Sequence, residues 1–573
     1  MELILSALNS AKFMESLWNG PIGIKIIILM GLFFLLNSLK ITIFNMHITG
    51  SRGRGAAVHK FTFTLAFIVL AYTLPGFNSP VPFIVFYIAQ CAYLYVNLSY
   101  YNFYHYFLHL AQSWALLFES LDVVLHFAVP KNPNLLLIFI DLPIFIYIAG
   151  GFIQNTAYLS QLHAFKGMGI AACLLIILAV ETIKFLRGSS IVQLIKRYPD
   201  SEEQVVEKYG TLVNILVDMA VFKTEKDRIG RFTYGKKVLA NKESRGKLNI
   251  VAIQVESMDA NAVNARHNGS YVMPFLHSLI GKSVYYPYVL GYHKAGGTSD
   301  AEFSIINSLE PLSNFPSIKL ASYDFHNSVA KTFTENSYHT AVFHGNWASY
   351  YNRDTAFARM GFEDFFDMER MGMKDVGWGA PDHQVFEYAA AKMKEERTPF
   401  FYYIITMSSH CLFTNVLNYY RNHQYNDIKD RTVRDYYNSL SYVDQSIRDF
   451  VEKIRSVDGE TCIAIWGDHA PGIKSRLYNQ ASLDMEKRHL EFVPFFMITP
   501  DHRVHREREK AASFLDIAPT LLEAAGIPYE YRTDGESLLS PSGLKEPIPY
   551  RGDCYDRKGL YAKAAELFPP FQE

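Results

Sequence analysis

The segment Gly296-Gly297-Thr298-Ser299-Asp300-Ala301-Glu302 sets one hydroxyl, that of Thr298, where a strand-like stretch gives way to a helix. Ser299 and Glu302 have the spacing of a capping box, so a helix is expected to begin beside Thr298. A helix N-terminus offers unpaired N–H groups and the positive end of a dipole, which together attract phosphate-like anions. The two glycines let the backbone approach a ligand closely. Thr298 is thereby a candidate nucleophile set against its own anion site. The plainer reading of this motif alone is an ordinary helix cap.

Two apolar runs end in groups that would change that balance. Ile250–Val255 leads straight into Glu256-Ser257, and Ile463–Trp466 leads into Gly467-Asp468-His469. Glu256, Asp468, His469 and the Thr298 oxygen form a mixed O/N set suited to Mn²⁺, Mg²⁺ or Zn²⁺. Such an ion would lower the pKa of the threonine hydroxyl and neutralise charge on a phosphoryl group under in-line attack. Strand-end acids are common without metals, so these three groups point to one only in combination with Thr298.

A second cluster runs Phe343-His344-Gly345-Asn346-Trp347 and continues to Tyr350-Tyr351-Asn352-Arg353-Asp354. Arg353 has the planar fork to clamp phosphate oxygens, and Tyr351 could wall a pocket. His410 follows an apolar run in Met407-Ser408-Ser409-His410 and could bind phosphate or protonate a leaving group. A surface arginine and a plain loop histidine are the competing readings. His293, His326, His383 and His489 read as ordinary residues.

These groups need a scaffold that gathers strand ends. Strands are expected at Asn249–Val255, Thr340–Phe343, Phe400–Thr406, Thr461–Trp466 and Phe492–Ile498, and helices at 272–281, 299–308, 326–336, 382–395, 433–454 and 512–525. Short apolar strands alternating with amphipathic helices predict an α/β domain with a largely parallel central sheet, over 248–540. Ligands in such sheets gather at the carboxyl ends of the strands. Residues 187–247 read as a helical linker and 541–573 as an irregular, proline-rich C-terminal tail.

The first third of the chain is different in kind. Of 573 residues, 15% are aromatic, and the apolar content is concentrated before residue 190. Five stretches of roughly membrane-spanning length stand near 21–39, 61–78, 79–98, 135–154 and 165–186, giving a transmembrane domain over 1–186. Asp141 and Glu181 fall within apolar runs and should face other helices or water. Phe107 to Val129 reads as an amphipathic helix lying on the membrane, with a sixth span as the alternative. Lys40, Arg52, Arg54 and Lys60 crowd the first loop, which would place it, and with five spans the C-terminal domain, on the cytoplasmic side. The net charge of −1 gives no sign of nucleic-acid binding. The five cysteines hold no C-x-x-C pair, so neither a disulfide framework nor a zinc finger is expected.

Taken in order, the motifs resemble the lipoteichoic acid synthase and phosphoglycerol transferase family, within the alkaline phosphatase–sulfatase superfamily. The matching elements are Val255-Glu256-Ser257, Pro274-Phe275-Leu276, Gly297–Phe303, Asn307-Ser308-Leu309, His344-Gly345-Asn346, Asn352-Arg353-Asp354, Gly361-Phe362-Glu363, Ser409-His410, Gly467-Asp468-His469, Pro494-Phe495-Phe496 and Asp516–Thr520. The resemblance implies that Glu256, Thr298, Asp468 and His469 hold one divalent metal, usually manganese. It implies that Thr298 takes phosphoglycerol from phosphatidylglycerol, leaving diacylglycerol, and passes it to an acceptor hydroxyl of a polyglycerol phosphate chain or glycan. His344, Asn346, Tyr351, Arg353 and His410 match substrate-binding positions. The family places this domain outside the cytoplasmic membrane of a bacterium, against the loop charges. The chain departs from the family at Asn346 and Tyr351, where aspartate and tryptophan are usual, and both positions touch the head group.

Two other readings stand beside this one. A phosphoethanolamine transferase or phosphodiesterase of the same superfamily would use the same nucleophile with a different donor or acceptor. A non-catalytic membrane sensor would be marked by loss of Thr298 or a metal ligand, and all four are present.

Overall fold

The computed structural model describes residues 22–49, 54–73, 80–104, 138–154, 157–198 and 201–569, apart from 222–223, 233–234, 236, 245, 294, 313–314, 412, 415–423, 456–459, 474, 486–487 and 541–542. The amphipathic helix expected at Phe107 to Val129 lies outside the described residues. The chain divides into two compact units, Met1–Val221 and Phe222–Glu573.

The first unit is helical. Its long elements are α1 (Ile22–Thr49), α2 (Arg54–Thr73), α3 (Pro80–Tyr104), α4 (Leu142–Gln154) and α5 (Ala157–Leu186). Three described helices are long and apolar enough to cross a membrane, through Ile28–Met46, Pro80–Leu98 and Gly169–Leu186. Of the five spans expected, three are matched by such segments among the described residues. The apolar run in α2 is the shorter Lys60–Thr73. Helix α4 has 13 residues, about 20 Å at 1.5 Å per residue, against a hydrocarbon core of about 30 Å.

A network of buried polar side chains ties helices of this unit together. Asp141 is fully buried and accepts from Lys40 Nζ at 2.7 Å, Asn37 Nδ2 at 2.8 Å and Tyr87 OH at 2.8 Å. Gln90 links Asn37 to Tyr72, at 2.8 and 2.7 Å. Glu181 accepts from the backbone N–H of Ile191 at 2.9 Å. Lys40 lies within α1 and Lys60 within α2, both buried. Arg54 also lies within α2, so three of the four charges read as loop charges stand in helices.

The second unit is an α/β domain around a mixed sheet. Its principal strands are β1 (Asn249–Val255), β2 (Val284–Gly291), β3 (His339–His344), β4 (Asp364–Phe366), β5 (Phe400–Ile405), β6 (Thr461–Gly467) and β7 (Arg488–Ile498). They lie in the order β2-β7-β6-β1-β5-β3-β4. Strands β6, β1, β5, β3 and β4 are mutually parallel, whereas β7 runs antiparallel to both β6 and β2. The sheet is thus mixed, parallel from β6 to β4 and antiparallel where β7 enters. The sequence reading missed β2 altogether, because Val-Tyr-Tyr-Pro-Tyr-Val-Leu contains a proline that counts against a strand.

The central strands are continuous apolar runs, as strands covered on both faces must be. Alternate residues enter opposite layers: Ile250 and Ala252 join one core, Val251, Ile253 and Val255 the other. The first core holds α6 (Thr298–Asn307) through Ala301, Phe303, Ile305 and Ile306. The second holds the helices Asp382–Met393 and Arg431–Arg455.

The C-terminal stretch is not an irregular tail. Ile548–Tyr550 and Asp553–Tyr555 form a hairpin, and Arg557–Leu567 is a helix. Asp556 caps that helix by accepting from Gly559 N at 2.7 Å. Leu560, Tyr561 and Ala564 enter the first core on its inner face. Arg557 pairs with buried Asp516 at 2.8 and 3.0 Å.

Candidate active site

The carboxyl ends of β1 and β6 are adjacent in the sheet, which brings their terminal side chains together. Their approach is close enough that a Cβ on Gly467 would stand 1.7 Å from the carbonyl oxygen of Met258, so glycine alone fits there. Beyond β1 the chain turns sharply at Ser257, whose φ is 55°. Ser257 then ties the two strand ends, donating from N to Asp468 Oδ1 at 2.8 Å and from Oγ to Glu256 Oε1 at 2.8 Å. The chain leaving neighbouring β5 contributes as well: Thr406 Oγ1 accepts from Glu256 N at 2.9 Å, and Ser409 Oγ donates to Glu256 O at 2.5 Å.

Helix α6 delivers the threonine. Gly297 is its N-cap residue, with φ 56° and ψ −129°, a conformation open to glycine and strained for other residues. The capping box expected from Ser299 and Glu302 does not form. Ser299 turns back to Gly296 O at 2.7 Å, and Glu302 is drawn away by Arg353. Thr298 Oγ1 donates to Glu256 Oε2 at 3.0 Å and lies 3.4 Å from His469 Nε2.

Glu256, Asp468 and His469 each turn one ligand atom inward, and these atoms lie within 4.8 Å of one another. His469 Nε2 stands 3.3 Å from Glu256 Oε1 and 3.6 Å from Asp468 Oδ2. His469 Nδ1 is 2.9 Å from the carbonyl oxygen of Ala470, which can only accept. Nδ1 therefore carries a proton, and Nε2 is the nitrogen turned to the centre, the one that would ligate a metal once its own proton is given up. Asp468 Oδ2 is buried without a hydrogen-bond partner. A buried carboxylate oxygen left so is costly, and a cation would satisfy it. Burial raises the Asp468 carboxyl, and the Glu256 charge raises it further. Burial works against a charge on His469, but Asp468 and Glu256 prevail and hold it well above the usual imidazole range. The centre is thus built to be balanced by positive charge, and its donor set fits a divalent metal.

The other expected residues surround this centre in different ways. Arg353 is buried and engages Glu302 through Nε at 3.0 Å to both carboxylate oxygens and through Nη2 at 2.7 Å. Tyr351 lies with its ring centroid 5.7 Å from the Arg353 guanidinium carbon. Tyr351 and Asn352 both have φ 58°, two consecutive left-handed residues just before Arg353. Asn346 commits its Oδ1 to Trp347 N at 2.8 Å. His344 donates from Nδ1 to Ile405 O at 3.2 Å, and its Nε2 is buried without a partner. Burial, reinforced by the Arg353 charge, pushes His344 down to about 3, so the ring is neutral and Nε2 is an acceptor. His410 Nδ1 lies 2.6 Å from Cys411 O, and its ring stacks on Trp378 with centroids 5.3 Å apart. Burial lowers the His410 pKa, so its Nε2 also carries a lone pair.

Sequence reasoning passed over a second layer. His293 stacks on His469, and its Nδ1 lies 3.4 Å from Glu491 Oε2. Glu491 also accepts from Ala470 N at 3.1 Å and faces His489 Nε2 at 3.5 Å. The available signal was a glutamate opening the buried run Phe492–Ile498, since an acid there must have partners. Glu302 was missed for another reason: its spacing to Ser299 offered a local partner, and the true one is distant in sequence.

Residues 248–527 match the Sulfatase family. The lipoteichoic acid synthase of Staphylococcus saprophyticus is 29% identical over 355 residues, 58% of this chain and 54% of that protein. A lipoteichoic acid synthase-like protein of Bacillus subtilis is 27% identical over 335 residues, 55% of this chain and 53% of its own. The matches thus span about half the length of these curated relatives. Among solved structures, the integral membrane lipooligosaccharide phosphoethanolamine transferase A of Neisseria meningitidis superposes with a TM-score of 0.51 over 87% of this chain and 95% of its own, at 13% identity, a likeness of fold alone. Residues 248–527 therefore form a domain of the sulfatase and alkaline phosphatase superfamily, similar to the lipoteichoic acid synthases among its curated relatives.

Proposed function

We propose that this chain is a membrane-anchored, metal-dependent transferase that moves phosphoglycerol from phosphatidylglycerol to an acceptor hydroxyl through a phospho-threonine intermediate. The observation that carries the reading is Thr298 Oγ1 at a helix N-terminus, 3.0 Å from Glu256 and 3.4 Å from His469 Nε2, beside the unpartnered Asp468 Oδ2. The curated relatives named lipoteichoic acid synthase support the donor.

Glu256, Asp468, His469 and Thr298 would hold the ion, Mn²⁺ by resemblance. Bound there, a divalent cation lowers the hydroxyl pKa and neutralises phosphoryl charge. Thr298 Oγ1 attacks phosphorus from the N-terminus of α6, where backbone N–H groups and the dipole favour the phosphoryl oxygens. The bond from phosphorus to the diacylglycerol oxygen breaks, and that oxygen takes up the proton released by Thr298. Arg353 binds a phosphoryl oxygen through the N–H groups not held by Glu302. His344 Nε2, a buried acceptor, takes a hydrogen bond from a head-group hydroxyl. His410 Nε2 receives the proton of the incoming acceptor hydroxyl as that oxygen attacks phosphorus, and the proton passes to Thr298 Oγ1 as its bond to phosphorus breaks. The apolar helices keep the domain at the surface that holds the lipid, in our reading on the outer side of a bacterial cytoplasmic membrane.

The test is direct. Full-length protein with Mn²⁺ and fluorescent phosphatidylglycerol in mixed micelles should release labelled diacylglycerol, and Thr298→Ala should abolish the release. Undiminished release by that variant would end the mechanism. Phosphatidylethanolamine in parallel decides the head group.

A further inference from the structure

Thr298 and Glu302 are separated by one helical turn on α6, so they lie on one side of the same rigid element. Glu302 has no exposed surface, and the Arg353 side chain has only 5%. Three hydrogen bonds, at 2.7, 3.0 and 3.0 Å, join the carboxylate to the Nε and Nη2 groups of the guanidinium. A guanidinium has five N–H donors in a planar fork, so this side-on grip leaves the Nη1 edge for another acceptor. The chain enters Arg353 through two left-handed residues, Tyr351 and Asn352, a conformation that persists only where its surroundings hold it.

We propose that Glu302 is a positioning residue that does two things to Arg353: it fixes the guanidinium relative to the Thr298 nucleophile, and it cancels its charge so that the site selects phosphodiester monoanions over phosphate dianions. An unpaired Arg353 would attract a dianion about twice as strongly as a monoanion, since Coulomb energy scales with the product of the charges. Paired with Glu302, it keeps its directional donors and loses most of that bias. A lipid phosphodiester carries one charge, whereas phosphomonoesters and inorganic phosphate carry about one and a half to two near neutral pH. The pair therefore favours the donor over the abundant small anions that would otherwise occupy the site. The inference rests on the phosphotransferase reading above.

The experiment uses the full-length, Mn²⁺-loaded protein with two variants, Glu302→Gln and Glu302→Asp. Inorganic phosphate binding is measured by calorimetry, and diacylglycerol release from phosphatidylglycerol is measured in micelles. Glu302→Gln removes the charge and should tighten phosphate binding by roughly tenfold. Glu302→Asp keeps the charge but shortens the reach. It should leave phosphate affinity within about twofold while lowering kcat for the lipid by roughly tenfold or more. Unchanged phosphate binding in Glu302→Gln overturns the charge role, and unchanged kcat in Glu302→Asp overturns the positioning role. Should Glu302→Gln fail to fold, as its melting curve would show, Glu302→Asp alone decides: loss of kcat at unchanged phosphate affinity supports the proposal, and any other pattern sinks it. The phosphate measurement needs no turnover. An enzyme that binds phosphate as expected but releases no diacylglycerol would refute the lipid-donor reading and leave the role of the pair standing.

Discussion

The ring of His293 stacks on the ring of His469, with centroids 4.5 Å apart and planes inclined by 21°. His293 is held in turn by Glu491, which also fixes the backbone N–H of Ala470, beside the carbonyl that orients His469. Groups that orient a ligand without touching the metal commonly contribute ten- to hundredfold in affinity. His293→Ala should therefore weaken Mn²⁺ binding by roughly tenfold, measured by calorimetry on the metal-free protein. An unaltered dissociation constant would show that the stack is mere packing.

Gly467 admits no side chain. A Cβ there would meet the Met258 carbonyl oxygen at 1.7 Å and the Val493 side chain at 3.2 Å. Backbone must move, and the strand end carrying Asp468 moves with it. Gly467→Ala should cost about 3 kcal/mol or more, at the upper end of overpacking effects, and should weaken metal binding at the same time. Thermal unfolding with and without Mn²⁺ checks both; a wild-type melting temperature would contradict the close approach of the two strand ends.

His489 makes stability depend on pH. Burial opposes its charge, but Asp484 at 2.9 Å and Glu491 at 3.5 Å prevail and raise its pKa to about 9. The unfolded value is about 6.5. A raised folded pKa means the folded state holds the proton more tightly, so this contribution is fully present below about pH 6.5 and is lost as pH rises towards about 9. The melting temperature of the α/β unit should fall over that window, and His489→Gln should flatten the fall. An identical slope in the variant would assign the dependence to other groups.

Lys40 and Asp141 form a buried pair among the apolar helices. Removing one partner leaves an uncompensated charge, which costs about 3–5 kcal/mol in buried pairs. Asp141→Ala should lower the melting temperature in detergent sharply, whereas Lys40→Met combined with Asp141→Leu should recover most of the loss. If the double variant is as unstable as the single one, the pair does more than neutralise itself.

The legibility of this chain followed the range of the interactions involved. Strand β1 was read at its observed bounds because its apolar run is bounded on both sides and buried on both faces. The gathering of Glu256, Thr298, Asp468 and His469 was legible because each sits where a regular element begins or ends. The antiparallel course of β7 was not, since a buried strand has the same composition in either direction. Nor was the helix at Arg557–Leu567, where proline content masked an apolar face.

The sequence by itself determined which residues could do chemistry and that apolar helices precede an α/β domain, because side-chain type and local period are written in the order of residues. Only the tertiary structure decided the partnerships. Glu302 with Arg353, His293 with His469, and Lys40 with Asp141 each join residues far apart in the chain. Buried charges and rings find partners by proximity in space, and chain distance places no limit on that search once the cores have closed.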